Sequence, residues 1–165
     1  MLAEVGIARR QARQVLSSGL AGMPVATRGA HLYQEEAVLE LASRRPMTQD
    51  EVSAACPGLL FVARRWVDLL ASPEDQVETL TRHWDLGVRG SNIVLVVQTR
   101  VRGSVPFVAT LCGFVVFGAD LRRLMGERGG RTYRMEVEAP GDWFEAFRGR
   151  RLHYGPGRDF VLRGW

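Results

Sequence analysis

The chain contains no lysine. All 22 of its basic residues are arginine, set against 18 Asp and Glu for a formal net charge of +4. A coding sequence rich in G and C produces such a bias, but the bias has physical consequences. A guanidinium fork engages phosphate and guanine edges through two parallel hydrogen bonds, whereas an ammonium offers a point charge. Cysteine and histidine are scarce. Cys56 and Cys112, with the scattered His31, His83 and His153, make neither a disulfide framework nor a metal-ligand cluster. No metal and no cofactor is therefore expected, and the two thiols read as free in a reducing cytosol. No apolar leader precedes Arg9-Arg10, so a cytoplasmic location is expected. The run 103–119 is uncharged over 17 residues, the lower edge of a membrane span. Its Pro106, Gly113 and Gly118 and its β-branched and aromatic residues mark a buried strand instead. Internal repeats and low-complexity segments are absent.

Catalytic signatures are missing as well. Gly155-Pro156-Gly157 and Arg128-Gly129-Gly130-Arg131 lack the strand–loop–helix context of a phosphate-cradling loop. Asp142 with Glu145, and Glu136 with Glu138, are carboxylate pairs of a kind that solvated surfaces also carry. No Ser/His/Asp or Cys/His set has supporting local sequence. The expectation is a protein that is not an enzyme.

What is present is a chain of 165 residues, 46% apolar and 24% charged, enough to bury a core as one medium domain or two small ones. Charge is uneven. Residues 1–46 hold six Arg and four acids, residues 47–90 four Arg and seven acids, and residues 91–165 twelve Arg and seven acids. An acidic middle between two basic ends suggests a modular chain.

Residues 7–18 (IARRQARQVLSS) predict a helix. Ala8, Ala12, Val15 and Leu16 fall on one narrow face, Arg10, Arg13, Gln14 and Ser17 fall opposite, and Arg9 lies on the flank. Gly19 closes it. Residues 22–33 predict a hairpin with Arg28-Gly29 at its tip. A helix over 35–44 has acids in its first turn and arginines at its end, and buries Ala37, Val38, Leu41 and Ala42. Thr48 and Glu51 form a capping box for a short helix stopped by Pro57-Gly58. Residues 59–71 (LLFVARRWVDLLA) predict an amphipathic helix burying Phe61, Val62, Trp66, Leu69 and Leu70. Ser72-Pro73-Glu74-Asp75 starts another, which buries Val77, Leu80 and Trp84.

Beyond Gly90 the texture is β. Strands are expected over 93–101, 105–117, 132–138 and 158–165, with turns at 102–104, 127–130 and 140–141. Residues 119–125 fit either a helical turn or a bent strand, and a short helical or irregular piece starts at Asp142.

A short arginine-faced helix, a glycine, a hairpin tipped by Arg-Gly and a supporting helix have the order of a winged DNA-reading head. The major groove admits one helix, whose long side chains reach base edges while a small apolar back seats it. The residues that carry this are Ala3-Glu4-Val5-Gly6-Ile7, Arg9-Arg10-Gln11-Ala12-Arg13-Gln14-Val15-Leu16, Gly19-Leu20, the stretch 25–33, and Ala37, Val38 and Leu41. In them the segment 2–44 resembles the excisionase/MerR-like winged helix-turn-helix family. The resemblance implies DNA binding, with Arg9, Arg10, Arg13, Gln14, Ser17, Thr27, Arg28 and His31 as the contact set. Pro46, Pro57 and Pro73 interrupt the region where MerR-type activators carry a long dimerising coiled coil.

The chain is thus expected to be α+β. A winged helix-turn-helix head (1–45), a helical connector (46–90) and a small, mostly antiparallel β-rich C-terminal domain (91–165) follow one another. The expected function is sequence-specific binding of double-stranded DNA by a transcriptional regulator, repressor-like, reading the major groove with residues 8–18. The alternative is a protein-interaction or architectural accessory factor, phage- or antitoxin-like, with only non-specific DNA contact. In the C-terminal part, Arg148, Arg150 and Arg151 are candidates for a second nucleic-acid surface. The favoured reading there is that aromatics fill a core and arginines solvate its outside, and a homodimer surface is a third.

Overall fold

The computed structural model describes residues 6–86, 104–126, 132–153 and 160–163. They form a mixed α/β fold in which a small head precedes a mostly antiparallel sheet flanked by helices. No helix among the described residues is long and apolar enough to cross a membrane. The expected strand over 93–101, the turn at 127–130 and the Gly155-Pro156-Gly157 loop lie outside the described residues, as do Ala3, Glu4 and Val5.

The head contains α1 (Arg9–Ser17), the strands β1 (Val25–Thr27) and β2 (Ala30–Leu32), and α2 (Glu35–Ser43). The two strands pair antiparallel with Thr27 opposite Ala30. Gly29, at φ +93°, supplies the left-handed residue that the Arg28-Gly29 tip requires. Ala8 is not part of the apolar back of α1. It is exposed at the N-cap, where its N–H donates to Gln11 Oε1 at 3.2 Å. Ile7 takes its place and is buried with Val15. Gly19 adopts φ +84°, and a Cβ there would stand 2.5 Å from Leu70. The backbone conformation therefore favours glycine, and any side chain there would also displace the half-exposed Leu70.

The remaining elements are β3 (Pro46–Met47), α3 (Gln49–Ala55), β4 (Leu60–Arg64), α4 (Pro73–Thr81), β5 (Val105–Leu111), β6 (Phe114–Gly126), β7 (Tyr133–Glu138), a 3-10 helix (Asp142–Phe147), β8 (Arg151–Leu152) and β9 (Phe160–Arg163). The sheet order is β3-β8-β6-β5-β4-β9, with β7 paired to β6. β3–β8 and β4–β5 are parallel pairs, and the others are antiparallel.

The helix expected over 59–71 is instead β4, hydrogen-bonded to β5 on one side and β9 on the other. Leu60, Phe61, Val62 and Ala63 are all buried, as a strand covered on both faces demands. An apolar run this short does not distinguish such a strand from a buried helix segment. Trp66 and Leu70, expected inside, are about half exposed, at 50% and 48%. The stretch 46–90 accordingly contributes strands as well as helices, and is not purely helical.

The expected strand over 105–117 is two strands. Cys112 (φ +50°) and Gly113 (φ +89°) form a two-residue reverse turn between Leu111 and Phe114, the geometry that suits strand twist. Residues 119–125 continue β6, which bends where its register to β7 shifts between Leu121 and Arg123.

Each face of the sheet has its own core. On one, Phe61, Phe107, Leu121, Leu124 and Met135 pack against Leu80 and Trp84. Ser72 accepts from Asp75 N–H and Pro73 fills the first turn, which starts α4 as its sequence predicts. The Phe61 ring stacks on Phe160 at 5.4 Å and meets Trp84 edge-on at 5.8 Å, each pair adding about 0.5–1.5 kcal/mol beyond its buried area. On the other face, Val62, Val108, Val115 and Leu152 meet Val52 of α3, Cys56 directly after it, and Phe144 and Phe147 of the 3-10 helix. Phe144 lies over Gly118, where a Cβ would stand 2.2 Å from its ring. A third cluster fills the head, and Phe114 of β6 completes it together with Ile7, Val15, Ala21 and Leu41.

Candidate nucleic-acid interface and the adjoining cleft

Helix periodicity and one buried position, Val15, fix which side of α1 meets the core. Arg9, Arg10 and Arg13 are exposed. On the hairpin Thr27, Arg28 and His31 are exposed too. Among the described residues no carboxylate pairs with Arg9, Arg10, Arg13 or Arg28. Arginines elsewhere behave differently. Arg44 pairs with Glu40, Arg45 and Arg150 with Glu51, Arg82 with Glu78, Arg122 with Glu138, Arg123 with Glu136 and Arg148 with Glu145. Arg134 on β7 is a further exposed arginine without such a pair among the described residues.

Three members of the expected contact set are engaged within the protein. Gln14 Oε1 accepts from the Cys112 thiol at 3.4 Å, so its amide faces the β5–β6 turn. Ser17 Oγ donates to the Gln14 carbonyl at 3.2 Å, and Thr27 Oγ1 donates to the Ala30 carbonyl at 3.1 Å. Both hydroxyls keep lone pairs to accept with, but their protons are used locally.

Arg148, Arg150 and Arg151 do not share one exposed face. Arg148 is exposed, pairs with Glu145 at 2.8 Å and lies over the Phe144 ring. Arg150 is partly buried and donates to Glu51 Oε1 at 3.1 Å and to the Arg45 carbonyl at 3.3 Å. Arg151 is 8% exposed, with its guanidinium 5.1 Å from the Phe114 ring centroid. Burial pushes its pKa below the ordinary arginine value.

Between α1 and the sheet lies a cleft of about 380 Å³. Its floor is set by register. Arg64 at the end of β4 pairs with Thr110 near the end of β5, and Arg151 on β8 pairs with Phe114. Gln11 and Gln14 reach it from α1, and Trp66 and His153 also line it. Cys112 stands at its edge with a thiol whose pKa burial raises. Cys56 lies elsewhere, against α3. Burial first, and the charge of Asp120 second, push its thiol up to about 11. Neither is an activated thiolate.

Sequence reasoning missed Arg64, Trp66 and Thr110 as site residues. The available signal was the pair Arg64-Arg65, followed by Trp66, directly after a fully apolar run. A helical reading of 59–71 hid it. Among the described residues, no group of three or more His, Cys, Asp or Glu is placed to hold a metal ion. Compared with protein-family models, curated proteins and solved structures, the chain matches none.

Proposed function

We propose that the chain is a sequence-specific, double-stranded-DNA-binding regulator of the repressor type, acting in the cytoplasm. Its head is a winged helix-turn-helix unit in which residues 8–18 enter the major groove and Arg28 and His31 of the hairpin contact the adjoining backbone. The observation that carries this reading is the division among the arginines. Seven other arginines are paired with carboxylates, Arg44 and Arg45 at the end of the head among them, whereas among the described residues Arg9, Arg10, Arg13 and Arg28, on α1 and the hairpin, stand exposed without one, as Arg134 of β7 also does. Exposed arginines without local partners are what phosphate and guanine contacts need.

Fluorescence anisotropy against a random duplex pool, followed by selection of the bound sequences, tests it. Binding should weaken with salt. Arg10→Ala with Arg13→Ala should lower affinity by about tenfold or more and flatten the salt dependence. Duplex binding that ignores salt, or survives the double substitution unchanged, overturns the reading.

A second reading has its own observation. Met23, Val25, Leu32 and Leu39 are exposed at 77%, 66%, 54% and 47%, all on the head. Exposed apolar residues of this size suit a protein partner, as in an interaction or architectural factor. Loss of preference between selected and unrelated duplexes, with retained binding, favours it.

A further inference from the structure

We propose that the outward face of α1 reads guanine, so that the duplexes bound by the head carry two closely spaced guanines contacted in the major groove by Arg10 and Arg13. This rests on duplex binding by the head and narrows it to one class of sequence. Arginines occupy the outward arc of the helix. At about 3.6 residues per turn, Arg9, Arg13 and Arg10 fall within an arc of about 100°, centred opposite the buried Val15. All three are exposed, and none pairs with a carboxylate among the described residues. Ser17 is the other polar residue of that arc, and its proton is donated to the Gln14 carbonyl.

Base edges discriminate between polar side chains. Guanine presents two acceptors, O6 and N7, which one guanidinium fork fills with two donors. Adenine presents a donor at N6 and an acceptor at N7, which call for a side-chain amide with both its oxygen and its nitrogen free. α1 has two such amides, Gln11 and Gln14, and both lie off the outward arc. Gln11 falls within about 40° of Val15, and Gln14 falls between Gln11 and Arg10. Both line the cleft between the helix and the sheet. Their oxygens already accept hydrogen bonds. Gln11 Oε1 takes the Ala8 N–H at 3.2 Å, and Gln14 Oε1 takes the Cys112 thiol hydrogen at 3.4 Å. The groove-facing side of the helix is left with guanidinium forks.

Helix rise sets the spacing of the two guanines. Arg10 and Arg13 stand about 4.5 Å apart along the axis of α1. With the helix lying along the groove, that is between one and two base-pair steps of about 3.4 Å. Their forks therefore reach neighbouring or next-neighbouring base pairs, on either strand. Arg9 at the rim of the arc and Arg28 at the hairpin tip are assigned to phosphates, whose contacts fix register and carry no sequence information.

Selection of duplexes from a random pool by the full chain, followed by fluorescence anisotropy on the selected sequence, tests the assignment. The selected sequences should share two guanines within about three base pairs. Replacing either G·C pair by A·T should weaken binding by about tenfold. Replacing both guanines by 7-deazaguanine, which lacks the N7 acceptor, should weaken it as well, and this measurement needs no protein variant. Arg10→Ala and Arg13→Ala should each abolish the preference at one of the two guanines. Gln14→Ala should leave the selected sequence unchanged. Selected sequences defined by A·T pairs, affinity indifferent to 7-deazaguanine, or a preference lost with Gln14→Ala overturns the guanine assignment and leaves duplex binding in place. Absence of salt-sensitive duplex binding overturns duplex binding itself, and the guanine assignment with it.

Discussion

Cys112, at the tip of the β5–β6 turn, donates its thiol hydrogen to Gln14 Oε1 on α1 at 3.4 Å, across 98 residues of chain. A thiol is a weak donor, so this bond alone carries little energy. It marks a larger join. Leu69 N–H donates to the Ser18 carbonyl at 2.7 Å, and Phe114, two residues after Cys112, is wholly buried in the core of the head. The helix proposed to meet DNA is therefore seated on the sheet, and it shares a cleft with it.

Phe114→Ala is expected to loosen the head and the sheet together. Removing a fully buried phenylalanine costs about 3–5 kcal/mol, and here it also removes the ring beneath Arg151. Urea unfolding should show a stability loss of that size. Hydrogen exchange should show lost protection in both α1 and β6. Protection lost in β6 alone, with α1 unchanged, would show that the head holds itself together.

Arg65→Lys is expected to destabilise the end of α4. The guanidinium of Arg65 donates to the carbonyls of Thr79 at 3.0 Å, His83 at 3.1 Å and Arg82, and sits 4.6 Å from the Trp84 ring centroid. Lysine keeps the charge but cannot spread donors across three carbonyls. A loss of about 2 kcal/mol is expected. Thermal unfolding measures it, and a change in near-ultraviolet dichroism should report the altered Trp84 environment.

Glu51 is expected to make stability sensitive to acid. The Thr48 backbone N–H, then Arg150 and Arg45, lower its pKa from 4.5 to about 2. Its folded value lies below its unfolded one. The contribution is therefore fully present above pH 4.5 and is lost as pH falls through about 2. Unfolding midpoints measured between those limits should fall less steeply with acid in Glu51→Gln than in the parent. At neutral pH the variant should be the less stable of the two, because it weakens the cap on α3 and leaves Arg45 and Arg150 without their shared carboxylate.

Local signals were legible wherever chemistry acts over three or four residues. Thr48 and Glu51 cap α3 reciprocally, Ser72 and Pro73 open α4, and Arg28-Gly29 turns the hairpin. The turn at Cys112-Gly113 was not legible, because a cysteine at positive φ carries none of the Asn or Asp signature of such turns. Of the candidate contacts, the exposure of Arg9, Arg10, Arg13 and Arg28 could be read from periodicity and turn position. The engagement of Gln14 with Cys112 could not, since it depends on a residue of a distant strand. Arg148, Arg150 and Arg151 look alike in sequence and separate in the structure into a surface pair, a bridge to Glu51 and a buried group.

The sequence by itself determined where helices start, where the hairpin turns and which arginines of the head lie opposite an apolar stripe. These depend on caps, glycines and the 3.6-residue period, all of which act within a few residues. Only the tertiary structure decided that residues 60–64 form a strand, that Phe114 completes the core of the head and that Arg64, Thr110 and Arg151 meet in one cleft. Strand pairing and burial depend on partners tens of residues away, and an apolar run such as Leu60 to Ala63 satisfies a helix or a strand equally until those partners arrive.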